Sequence, residues 1–232
     1  MNKIEPIIPV AAALLCSAIT CHAGRPLATE DADILDQKER EWESFVARET
    51  STGNPATEGW TTQVGCGVGY STQLALAYSR ARSAGLSAKG LALVGKTGLI
   101  ERKDDAMGLT LAWALGREKA PGSSSFKHEL SHLNLVATKE IAKSLTAHAN
   151  LGWVHSKTAR ASSTTWNLAA EYCLASGVDV MGEIYDDDRT KPWLGTGVRW
   201  QATRQFSADA SYSVRRETPR IKLWTVGFKL AF

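Results

Sequence analysis

Five charged side chains sit where strand-like alternation places small or polar neighbours. They are Glu171, Glu183, Arg199, Asp209 and Lys229, one on each of five successive segments. A charge turned toward lipid costs about 2–4 kcal/mol at a membrane midplane, so a shared polar face is where such groups can stand. Acids and bases gathered on one face would brace each other as a paired network. The same network would set the selectivity of a pore or hold a polar group of a ligand.

A second group, His128, Glu129, Ser131 and His132, raises nucleophilic catalysis. A nucleophile needs its base within hydrogen-bond reach and a third group to orient that base. On a regular strand His128 and His132 share one face and Glu129 and Ser131 the other. His148 and Asn150 on the next segment could contribute only by mixing faces. No catalytic residue is assigned, and two histidines without a third ligand define no metal site. Asp186-Asp187-Asp188-Arg189 reads as a hairpin tip, because the glycine-punctuated spacing of a calcium loop is missing. Gly65-Cys66-Gly67-Val68-Gly69 precedes no helix, which excludes a dinucleotide fingerprint, and no cofactor is expected. Glycines there suit close approach in a crowded interior or a bend in a strand.

The elements carrying these residues are strands. The 232-residue chain is 22% charged, holds eight tryptophans and has a mean hydropathy of −0.19. That excludes a disordered chain, and no apolar run is long enough for a spanning helix. A net charge of +3 without a basic, aromatic-interleaved stretch argues against a nucleic-acid partner. Lys3, an apolar run over 7–19 and Cys21-His22-Ala23 have the layout of a secretory signal peptide cut after Ala23. The expected division is a signal over 1–23, a polar periplasmic lead-in over 24–38 and a barrel over 39–232. Cys66 and Cys173 fall on opposite faces and are expected to stay unpaired.

From residue 40 onward, apolar positions recur at every second residue. Leu109, Leu111, Trp113 and Leu115 alternate with Gly, Thr and Ala; Phe206, Ala208, Ala210, Tyr212 and Val214 alternate with Ser and Asp. About twelve such segments run from 40–48 to 222–232. Short links at 71–72, 174–177 and 202–205 alternate with longer polar ones at 49–59, 118–125, 156–163 and 187–193, the layout of an outer-membrane barrel with both termini in the periplasm. Inner positions are small or polar, and Trp60, Tyr70, Trp153, Trp193, Trp200, Tyr212 and Trp224 lie near strand ends, where interfacial girdles sit. A soluble barrel with the inverse polarity is the competing reading. The expected fold class is all-β: a transmembrane, antiparallel, up-and-down β-barrel of about twelve strands.

The chain ends W-T-V-G-F-K-L-A-F, with Trp224, Val226, Phe228, Leu230 and Phe232 on one face. This ending resembles the C-terminal signature of bacterial outer-membrane proteins. The resemblance implies recognition by the barrel assembly machinery, residence in the outer membrane, and lipid and lipopolysaccharide as surroundings. Gly24-Arg25-Pro26-Leu27-Ala28-Thr29-Glu30-Asp31-Ala32 resembles the mature start of the outer-membrane barrels known as meta-pathway phenol-degradation proteins. That resemblance implies a channel or transporter for a small molecule, hydrophobic or aromatic compounds included; the alternation, separately, makes Glu171, Glu183, Arg199, Asp209 and Lys229 the expected lining of its lumen. The alternatives are a structural or adhesive barrel acting through its outer loops, and a lipid-modifying barrel enzyme.

Overall fold

The computed structural model describes residues 25–103 and 106–232, so the expected signal segment lies outside the described residues. Twelve strands follow in order: β1 Arg40–Ser51, β2 Thr57–Gly69, β3 Thr72–Ser83, β4 Leu86–Ile100, β5 Gly108–Lys119 and β6 Lys127–Ala142. The second half is β7 Leu145–Ser156, β8 Ala161–Ala175, β9 Val178–Asp187, β10 Trp193–Gln201, β11 Phe206–Arg215 and β12 Ile221–Ala231. Each pairs antiparallel with its sequence neighbours, and β1 pairs with β12, so the sheet closes on itself. Closure leaves no edge strand, which is what backbone in lipid requires. The final residue completes the seam: Phe232 N–H donates to the Arg40 carbonyl at 2.9 Å, and Arg40 N–H returns the bond at 3.1 Å.

The alternation resolves into an apolar outside and a small or polar inside. Leu76, Leu151 and Val226 are more than half exposed on the outer face, while Ala75, Ala77, Ala92 and Ala114 are buried on the lumen side. Small inward residues let the wall curve tightly without side chains colliding. Cys66 and Cys173 are both unpaired.

The links depart from the expected alternation of short and long. At the end bearing the C-terminus they are 70–71, 101–107, 143–144, 176–177 and 202–205; at the far end they are 52–56, 84–85, 120–126, 157–160, 188–192 and 216–220. The 84–85 link is as tight as any on the opposite side, because Ala84 (φ 49°) and Gly85 (φ 79°) both take the left-handed conformation of a two-residue hairpin turn. The polar stretches that read as long loops are partly strand: β8 begins at Ala161 and β2 at Thr57, inside segments expected to be loop.

Register shifts mark where the alternation changes phase. One lies opposite Gly116 and Arg117: Gly116 pairs with Leu130 and Arg117 with His128, leaving Glu129 between them. The extra residue is a β-bulge, which flips the faces of everything before it.

Candidate functional site: the lumen and its internal belt

The largest departure from the sequence reading is at the N-terminus. Residues 25–38 are not a lead-in outside the wall. They run inside the barrel, where Arg25, Leu27, Thr29, Glu30 and Ala32 are buried. The segment enters beside β2, where Lys38 N–H donates to the Gly67 carbonyl at 3.0 Å. It then circles the inner wall in barrel order.

Irregular backbone cannot use a ladder, so each of its polar groups needs a partner from the wall. The wall supplies one at each strand. Gln73 of β3 accepts from Leu35 N–H at 2.8 Å, and the Lys96 ammonium of β4 donates to the Asp31 carbonyl at 2.7 Å and its carboxylate at 3.1 Å. Thr110 of β5 donates to the Ala32 carbonyl at 2.7 Å, while Thr138 of β6 accepts from Ala32 N–H at 2.9 Å. The Asn150 amide of β7 bonds both sides of Glu30, accepting from its N–H at 2.8 Å and donating to its carbonyl at 3.0 Å. Asn167 of β8 donates to the Ala28 carbonyl at 3.1 Å.

The leading end of the belt is held by charge. The Glu183 carboxylate of β9 accepts three bonds, from Ala28 N–H at 3.1 Å, Thr29 N–H at 2.9 Å and the Thr29 hydroxyl at 2.8 Å. Arg199 of β10 donates to the Arg25 carbonyl at 3.4 Å. Arg25 itself forks onto Asp209 of β11, at 2.6 and 3.3 Å, with its guanidinium carbon 4.0 Å from the centre of the Phe45 ring of β1. Bidentate pairing and ring stacking both exploit the flat guanidinium. Glycines give the belt room: a Cβ at Gly227 would stand 2.7 Å from the Arg25 guanidinium, and one at Gly197 would stand 2.6 Å from the Pro26 ring.

The belt divides the lumen unequally. Along β4–β6 the inward side chains Val94, Lys96, Thr110, Leu130, Val136 and Thr138 are all buried to 1% exposure or less, so that side is filled. Along β8–β12 several inward groups keep contact with solvent: Glu171, Tyr185, Trp193, Arg199, Arg215 and Lys229 are half-buried, while Glu183, Asp209 and the serines of β11 are buried. Tyr185 and Trp193 stack nearly parallel with centroids 6.0 Å apart, and Arg215 lies 5.2 Å over Trp193. Toward the other end, Arg199 bonds Asp179 at 2.9 Å and is also ion-paired with Glu171. Residues 25–29 lie between these two groups, on the side that water reaches.

Residues 11–232 match the family model described as "Uncharacterised conserved protein UCP029691". The chain belongs to this family. No curated protein matches it. Among solved structures, the KdgM porin in complex with disordered oligogalacturonate superposes with a TM-score of 0.62 at 8% identity, covering 82% of this chain and 99% of that one. The translocator domain of the autotransporter NalP from Neisseria meningitidis gives 0.60 at 14% identity, with 87% and 91% covered. The COG4313 outer membrane channel from Pseudomonas putida F1 gives 0.60 at 10% identity, with 87% and 98% covered. At such identities the likeness is one of fold: this member of the family has the closed architecture of outer-membrane barrels.

Within that architecture, the structure places all five sequence-selected charges on the lumen side but unites only two of them, Arg199 and Glu171, in direct contact. Asp209 and Glu183 are engaged by the belt, and Lys229 lies 3.9 Å from Glu41 of β1. The missing partners were Arg25, Ala28 and Thr29, hidden in a segment without periodicity. Trp193, counted among the girdle aromatics, faces the lumen. Trp224 and Val226 are exposed on the outer face and Phe232 at the rim.

The histidine cluster is also rearranged. The bulge at Glu129 breaks the expected sharing of a face: His128 Nε2 meets the Ser131 hydroxyl at 3.1 Å, and Glu129 instead binds Ser156 and Thr158 of the next hairpin. Turned to Ser156 and Thr158, Glu129 does not orient the His128 ring.

Proposed function

We propose that the chain is a bacterial outer-membrane channel for a small, ring-bearing molecule, shut by its own N-terminal belt. The observation that carries this reading is the position of residues 25–29. They cross the water-accessible side of the lumen between the Tyr185–Trp193 stack and the Arg199–Glu171–Asp179 cluster. In the membrane the termini face the periplasm and the aromatic stack faces outward. A flat ring entering from outside meets two parallel aromatic faces and a guanidinium, which favour stacking. Further passage requires Arg25 to leave Asp209, or the leading end of the belt to swing aside.

The sequence resemblance to the meta-pathway phenol-degradation barrels, and the fold shared with porins and with an outer membrane channel, support this reading. The far-end links are short, the longest being 120–126, which leaves little loop for adhesion.

The test is flux into liposomes. Protein lacking residues 25–36 is compared with the full chain, using phenyl glucoside against glucose as solutes. The expected result is slow uptake through the full chain, at least tenfold faster uptake without the belt, and a preference for the phenyl compound that Trp193→Ala removes. Equal, negligible flux through both proteins would sink the channel reading.

A further inference from the structure

The outer wall carries a charge pattern that passage does not use. In antiparallel pairs directly opposed residues share a face. Arg48 opposes Glu58, Glu58 opposes Arg82, Arg80 opposes Lys89, and Lys89 opposes Lys119. These residues, with Arg117, occupy the outward positions of β1–β5 at the end away from the C-terminus. Glu58 is the single acid among them, and its carboxylate stands 3.9 Å from Arg48 with both side chains mostly exposed. Immediately below, toward the C-terminal end, the same face turns to Val64, Leu76, Leu91, Leu93 and Leu115, all exposed.

Under Arg48 the wall has a furrow of about 480 Å³. Val46 lies in it, with Trp60 and Trp224 on the flanking strands; Arg48, Arg80 and Arg82 also line it, Arg80 directly opposite Trp60 and Arg82 two positions further from the C-terminal end. Trp60 is fixed by its indole N–H, which donates to the Ser44 hydroxyl at 2.9 Å, and by an edge contact with Tyr78. Trp224 is fixed by the Tyr212 ring 4.3 Å away. The furrow is therefore flanked by two fixed indole rings, and its lining carries three guanidinium groups against one carboxylate, Glu58.

We propose that this face binds a phosphorylated glycolipid of the outer leaflet, of the lipid A type. One acyl chain would lie over Val46 between Trp60 and Trp224, and a phosphate would bridge Arg48, Arg80 and Arg82. Guanidinium forks match phosphate oxygens in pairs. Of the occupants such a slot could take, this one fits both halves: acyl chain below the charge line, clustered negative charge above it. The inference rests on the membrane orientation given above but not on passage through the lumen.

The test is lipid retention by the full-length protein in neutral detergent, read by native mass spectrometry. Bis-phosphorylated lipid A, its dephosphorylated form and phosphatidylglycerol serve as probes. Bis-phosphorylated lipid A should be retained at least tenfold better than the other two. The combined Arg48→Gln, Arg80→Gln, Arg82→Gln variant should lose that advantage, and Glu58→Gln should strengthen it. Val46→Trp, which fills the furrow without changing charge, should weaken retention. If the triple variant gives no heat-modifiable barrel, Glu58→Gln and Val46→Trp decide. Equal retention of the dephosphorylated lipid or of phosphatidylglycerol, or indifference to these substitutions, overturns the proposal. A barrel that conducts nothing but retains lipid A in this way would leave it standing.

Discussion

The Arg25 guanidinium lies 2.6 Å from the carboxylate of Asp209, a residue 184 positions later in the chain, and both side chains are almost wholly buried. This pair fastens the free end of the belt to the wall. Removing one partner of a buried ion pair costs about 3–5 kcal/mol because the other charge stays uncompensated. Here the charge can escape: Arg25 belongs to no strand, so no ladder depends on it. Asp209→Ala should therefore release residues 25–29 rather than unfold the barrel. The expected outcome is higher single-channel conductance, new cleavage by a glutamate-specific protease after the otherwise buried Glu30, and unchanged heat-modifiable migration. Unaltered conductance with Glu30 still protected would show that the pair does not hold the gate.

Glu183 acts a few residues further along the belt. Its two oxygens accept three bonds from Ala28 and Thr29. A glutamine has one accepting oxygen, and its amide nitrogen would face the donors it replaced. Leaving a buried donor unmet costs about 1–3 kcal/mol. Glu183→Gln should speed hydrogen exchange at the Ala28 and Thr29 amides by tenfold or more, while amides within β9 and β10 keep their protection. Uniform acceleration across the barrel would mean instead that Glu183 supports the wall.

The root of the belt offers the opposite experiment, a steric one. A Cβ at Gly67 would press into the backbone carbonyls of Leu35 and Asp36, and backbone cannot yield as a side-chain tip can. At Gly65, two residues along the same strand and face, the nearest atom is the Glu41 side chain at 3.4 Å, an ordinary contact. Gly67→Ala should displace the belt and raise conductance, whereas Gly65→Ala should match the unmodified protein. Equal behaviour of the two would remove the close approach at Gly67 as a cause.

These positions show what a sequence makes legible. The period of two shows which residues of each strand share a face, and the small or polar neighbours of Glu171, Glu183, Arg199, Asp209 and Lys229 mark theirs as the inner one, so the fold class and the direction of these charges are legible from alternation taken with residue size. Alternation fails at bulges, and so His128 and Ser131 come together where a regular strand separates them. It is silent on residues 25–38, whose structure is dictated by the wall rather than by their own period. A signal was present in the strands: polar side chains, Gln73, Lys96, Thr110, Thr138, Asn150 and Asn167, recur on the inner faces of six successive strands. Side chains of that kind, one per strand, are what a non-ladder backbone inside a barrel needs. Trp193 was misplaced for a simpler reason, since a tryptophan near a strand end suits a girdle and a vestibule equally well.

The last residue separates folding from assembly. Phe232 closes the β1–β12 seam through its backbone, and its side chain is 57% exposed. Phe232→Ala keeps both backbone bonds with Arg40 and removes only the ring, so the stability of the assembled barrel should change by less than about 0.5 kcal/mol, as for surface substitutions generally. Deleting Phe232 removes those bonds as well and should lower stability. If the terminal ring is the element read during insertion, Phe232→Ala and the deletion will reduce the amount of assembled protein in cells to a similar degree, several-fold, while only the deletion lowers the temperature at which purified barrel loses its heat-modifiable form. Equal assembly of Phe232→Ala and the unmodified chain would assign the ending a purely structural role, as the strand that completes the wall.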